Sequence, residues 1–164
     1  QIPLTIGNAL VATEDAAHEL CLLHGPKVVV YGALSSRSSA IFDVDDDGDL
    51  DIVTNEMNDR SMVLISNLNE RKLIHFLKVR LIGSVSNRNG LGATVKVVAG
   101  GATLTQFNDG KSGYLAQSVM PLYFGLGDVA AASSVEIHWP SGRSQIITEA
   151  IPRNGILTAR EPLE

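Results

Sequence analysis

The sequence predicts a mainly β protein, with a β-meander built around an Asp-rich loop over residues 1–68 and an antiparallel β-sandwich over residues 74–160. Three observations carry this. Leu77, Val79 and Leu81 alternate with Lys78 and Arg80; Val95 and Val97 flank Lys96; Val135, Ile137 and Trp139 interleave with Glu136 and His138. Period-2 alternation of this kind marks antiparallel strands with one face on a core and one in water. Turn signals recur at Asn89-Gly90, Gly100-Gly101, Asp109-Gly110, Ser141-Gly142 and Asn154-Gly155, the punctuation of a sandwich or small barrel. Short apolar runs flank the acidic stretch Asp43–Asp51 on both sides and read as strands.

Taken in order, Ile2-Pro3-Leu4-Thr5-Ile6 is expected as an edge strand. Residues 9–24, rich in Ala, Leu, Glu and His and stopped by Gly25-Pro26, suggest a short N-terminal helix. Lys27–Ala33 reads as a strand through Val28-Val29-Val30-Tyr31, and Leu34–Ser39 as a Ser-rich connection. Strands on either side of the acidic loop and another at Ser61–Ser66 bring residues 27–66 to about four short strands, the content of one propeller blade. The polar run Asn67–Lys72 is the expected boundary, after which the alternation becomes regular.

Six of the nine residues from Asp43 to Asp51 are Asp, in a chain of 164 residues with 18 acids, 13 bases and a net charge of −5. Without those six, acids and bases almost balance, so the acidity belongs to one loop. Carboxylates this close repel one another and resist ionising unless a cation lies among them. Asp43, Asp45 and Asp47 can converge as the chain curls, Gly48 permits the turn, Asp49 can offer its backbone carbonyl, and Asp51 closes the ring. Calcium suits this all-oxygen set best, since magnesium keeps more water and zinc prefers nitrogen or sulfur. Asp46 is expected to face solvent. An EF-hand needs a carboxylate at loop position 12, where this chain has Thr54, and flanking helices where it has strands.

The run Ala40-Ile41-Phe42-Asp43-Val44-Asp45-Asp46-Asp47-Gly48-Asp49-Leu50-Asp51-Ile52-Val53 resembles an FG-GAP (VCBS-type) repeat, the calcium-binding blade unit of integrin-like β-propellers. The resemblance implies calcium ligands at Asp43, Asp45, Asp47, Asp49 (backbone) and Asp51. Further on, Phe76–Leu81, Ser86–Val95, Tyr114–Ser118, Leu122–Gly127 and Trp139–Arg143 resemble the ASPIC/UnbV domain over about residues 74–160. In that family the domain follows FG-GAP/VCBS repeats in secreted or cell-surface proteins, including a cartilage acidic protein. The resemblance implies an extracellular module and supplies no catalytic residues.

Other chemistry fails on spacing. Gly110-Lys111-Ser112 lacks the first glycine of a phosphate loop, which would fall at Thr105, and Tyr114 replaces the closing glycine of a nucleophile elbow. His18, His24, His75 and His138 show no metal-ligand spacing, and His138 reads as a wet-face residue. A pI near 5.3 argues against nucleic acid as a partner, and no apolar run is long enough to span a membrane. Asn87, Arg88, Asn89 and Arg143 offer a polar rim on the sandwich, with Asn87 and Asn89 read first as turn residues. One blade cannot close a propeller, and the chain starts with Gln1. The expectation is therefore the C-terminal part of a longer secreted or surface protein: a non-catalytic calcium module that mediates protein or glycan binding or adhesion, with a purely structural or assembly domain, or an accessory part of a secreted enzyme, as the alternatives.

Overall fold

The computed structural model describes residues 11–13, 28–30, 36–57, 60–112 and 116–163. All regular structure among them is β. Val11–Thr13 (β1) pairs antiparallel with Val28–Val30 (β2) in a two-stranded ribbon. The helix expected over 9–24 is corrected at Val11–Thr13, where two β-branched residues favour the extended chain and find a Val-rich partner. The rest of that span, and the edge strand expected at Ile2–Ile6, lie outside the described residues.

Ser36–Phe42 (β3), Asp51–Glu56 (β4) and Met62–Leu64 (β5) form a three-stranded antiparallel meander in the order β3-β4-β5. The four strands expected from residues 27–66 are all present, but β2 pairs with β1 instead of joining this sheet. Part of the expected Ser-rich connection is also strand. Its residues from Ser36 onward pair with β4, with a register shift between Ser36 and Ser38, because the ladder beside β4 supplies backbone partners that composition does not reveal. Ile41, Ile52 and Val63 on this meander stay more than a third exposed.

The second half is a two-layer sandwich. One layer is Ser144–Ile147 (β11), Ser134–His138 (β10), Thr94–Ala99 (β7) and Ala102–Phe107 (β8), in the order β11-β10-β7-β8 and antiparallel throughout. The other is Gly155–Arg160 (β12), His75–Ile82 (β6) and Leu122–Gly127 (β9), in the order β12-β6-β9. Leu77, Val79, Leu81, Phe124, Leu126, Leu157 and Ala159 from this sheet meet Val95, Val97, Ala99, Val135 and Ile137 from the other, and all are buried. The inward residues are those the alternation selects. β7 and β8 join through Gly100-Gly101, both at positive φ, which matches a two-residue hairpin turn to the strand twist.

One pairing departs from expectation: β12 runs parallel to β6, with Leu157 opposite Val79. Side-chain alternation reports which face a residue takes and carries no strand direction. The intervening β7–β11 supplies the long crossover that a parallel pair needs.

The residue that follows β12, Glu161, locks this arrangement. Glu161 is 3% exposed. Its Oε2 accepts the backbone N–H groups of Ser84, Val85 and Ser86 at 2.6–2.8 Å, while Oε1 accepts the hydroxyls of Ser86 and Ser141. Three successive N–H groups make an anion-binding concavity. One carboxylate thus ties the loop after β6 to the β10–β11 turn.

Candidate metal centre

The acidic loop between β3 and β4 curls through Asp46 at φ +64° and Gly48 at φ +99°. Asp tolerates the left-handed region better than most residues, and glycine adopts it freely. Gly48 is needed for a second reason: a Cβ there would lie 2.6 Å from Cε1 of Phe76.

The carboxylates have different roles. Asp43, Asp45 and Asp51 each bring an oxygen within 4.8 Å of the others. Asp43 Oδ1 and Oδ2 also accept the N–H groups of Asp47 and Gly48, at 3.1 and 3.0 Å. Asp51 accepts the N–H of Val44 and, across the meander, that of Ser66, both at 2.8 Å. Asp47 lies outside the trio and accepts from Asp49 N and from Asn69 Nδ2. Asp49 is 2% exposed; its Oδ2 accepts Asn69 N, and its Oδ1 is buried without a hydrogen-bond partner. Of the five ligands expected, the structure gathers the carboxylates of Asp43, Asp45 and Asp51, while Asp47 and the side chain of Asp49, a residue expected to offer its backbone carbonyl, form an outer ring held by Asn69. The segment around Asn69 is itself a turn, with Arg71 and Lys72 N–H on the Leu68 carbonyl. The polar run expected as a boundary is therefore bonded to the loop.

Desolvation, then the charges of Asp47 and Asp51, push the Asp45 carboxyl above its ordinary range. A cation among these oxygens would reverse that. All-oxygen donors on a loop curled at Gly48 are the donor set a hard ion such as calcium takes.

Sequence reasoning missed the residues on which the loop sits. Lys78 projects from the outer face of β6 and donates to Asp43 Oδ2 at 2.8 Å and Asp46 Oδ1 at 3.1 Å. Asp46 is exposed as expected, yet it is also one of this lysine's partners. Lys78 was expected to be wet; it is 9% exposed because the loop covers it. Burial opposes its charge, but the two carboxylates outweigh that and raise its pKa. Phe76 and Tyr123, from β6 and β9, stack at 5.5 Å beneath the loop, and Tyr123 OH donates to the Gly48 carbonyl at 2.6 Å. Burial, then the charges of Asp43, Asp49 and Asp47, push this phenol up to about 12. Alternation placed Lys78 on the outer face; nothing local says that a loop about 30 positions away lands there.

Of the polar rim, Asn87 is the turn residue expected: its amide accepts from Leu91 N and donates to Leu91 O. Asn89 contributes its backbone carbonyl, held by Asn108 Nδ2. Arg143 donates to the Leu163 carbonyl. His138 bonds Glu136 and Ser144 on the outer face of its sheet.

The fold and site thus define a β-sandwich with an aspartate loop seated on one outer face. Residues 83–163 match the family described as ASPIC and UnbV. The match does not extend to the acidic loop. No curated protein matches the chain.

Proposed function

We propose that the chain is a non-catalytic, calcium-binding extracellular module in which an FG-GAP/VCBS-like blade is seated on an ASPIC/UnbV sandwich and serves protein or glycan binding. The observation that supports it best is the convergence of Asp43, Asp45 and Asp51 oxygens within 4.8 Å at a loop whose Asp49 keeps a buried, unpaired oxygen. Calcium would relieve the repulsion of the loop and tie it more firmly to the sheet below, so binding would add to folding stability.

The test is a melting scan with calcium and with chelator. Sites of extracellular modules bind at about 10⁻⁴–10⁻³ M, so about 2 mM calcium should stabilise by about 0.6–2 kcal/mol. Asp45→Asn, at an exposed position, should remove that shift and leave the melting point in chelator nearly unchanged. An identical midpoint with and without calcium would reject the calcium reading.

A second reading is favoured by Lys78. Its ammonium already partners Asp43 and Asp46, so the loop can act as a docking latch with no ion. The chain would then be a structural domain of a larger protein. Under this reading the chelator has no effect and Lys78 carries the stabilisation.

A further inference from the structure

The outer face of the β12-β6-β9 sheet is only half covered. The acidic loop seals the end at Phe76 and Lys78. Beyond it opens a cleft of about 400 Å³ with Arg80, Arg88 and Arg160 in its wall and Val119, Met120 and Pro121 along one side. The inward positions of β6 and β12 are taken by Val79, Leu81, Leu157 and Ala159, so Arg80 and Arg160 project from the same outer face. The register sets them diagonally on adjacent strands, two positions apart, with Thr158 opposite Arg80 and Arg160 opposite Ile82. Arg88 comes from a turn that is already braced. Its carbonyl accepts Gly83 N, Asn87 clasps Leu91, and Asn108 holds the carbonyls of Asn89 and Gly90.

No Asp or Glu lines this cleft, and none of the three guanidinium groups enters an ion pair among the described residues. In a chain of net charge −5, three unpaired arginines around one concavity are a local reversal of sign. Guanidinium forks match the oxygen geometry of carboxylate and sulfate groups. The cleft lies on a sheet face, and Pro121 at its side lacks the N–H that an added peptide strand would use. Recognition there falls to side chains acting on pendant anionic groups.

We infer that this cleft binds an acidic oligosaccharide through carboxylate or sulfate groups held by Arg80, Arg88 and Arg160. The assignment deepens the reading of the chain as a ligand-binding module and uses none of the loop carboxylates, although Arg80 also borders the adjoining hollow that holds Asp43 and Asp46.

The test is calorimetric titration of the 164-residue chain with four probes of equal length: a polyuronate, a sulfated oligosaccharide, a neutral oligosaccharide and a polyglutamate peptide. One or both acidic glycans should bind saturably, more weakly as salt rises. Each of Arg80→Gln, Arg88→Gln and Arg160→Gln should weaken binding about fivefold to tenfold, while Lys72→Gln, on a cation away from the cleft, should not. Circular dichroism checks that each variant is folded. Which acidic glycan binds identifies the anionic group. Binding should persist in chelator, so loss of the calcium shift and loss of glycan binding are separate outcomes. Equal binding of the neutral sugar, tighter binding of polyglutamate, or undiminished binding by the folded triple variant would overturn the assignment.

Discussion

Glu161 shows how much one side chain can hold. Burial alone would raise its carboxyl, but hydrogen bonds from Ser141, Ser86 and Ser84 outweigh this and keep it well below its ordinary 4.5. A carboxyl with a depressed pKa in the folded protein stabilises at pH values above its unfolded pKa, and that stability is lost as pH falls toward the folded value. Glu161→Gln should therefore lower the melting temperature at about pH 7. The gap from the parent should stay level down to about pH 5 and narrow below it; melting curves at a series of pH values check this. Gly48 is the other position with little freedom. Gly48→Ala combines a strained positive φ with contact on Phe76 and should cost about 3 kcal/mol by denaturant titration. The sequence marked Gly48 as the turn residue from its place in the loop. Glu161 could not be found that way, because its partners lie at 84–86 and 141 and only the folded chain brings them together.

Among the elements, β6 does the most. Its inner residues Leu77, Val79 and Leu81 anchor the sandwich core, and its outer residues Phe76 and Lys78 carry the acidic loop. The inner set was legible because alternation and burial agree. Of the outer pair, Lys78 was legible as a face residue but not as a contact. The aspartate cluster was readable from spacing alone, whereas its division into a trio and an outer ring depends on Asn69, a residue that reads only as linker. Strand directions were the least legible feature, and the parallel β6–β12 pair is the result. Helical composition at 9–24 also outweighed the β-branched Val11 and Thr13, whose partner Val28–Val30 lies well along the chain.

At the scale of the whole molecule, part-buried side chains join the meander to the sandwich among the described residues: Lys78 with Asp43 and Asp46, and Tyr123 with the Gly48 carbonyl. The Asp43 side chain is 1% exposed, so removing its ammonium partner leaves a buried charge. Lys78→Met should cost about 3 kcal/mol and Tyr123→Phe about 1 kcal/mol. The double variant in chelator should melt in two steps in calorimetry, with the larger core of the sandwich giving the upper one. A single transition unchanged from the parent would mean that these contacts do not couple the two parts.

The parallel pairing has a consequence for biosynthesis. Phe76 and its bonding partner Asn154 are 78 residues apart. At ribosomal rates of about 5–20 residues per second, β6 emerges roughly 4–15 s before its β12 neighbour exists. During that interval one flank of the nascent strand is bare, and its backbone groups stay open to pairing with other chains until translation catches up.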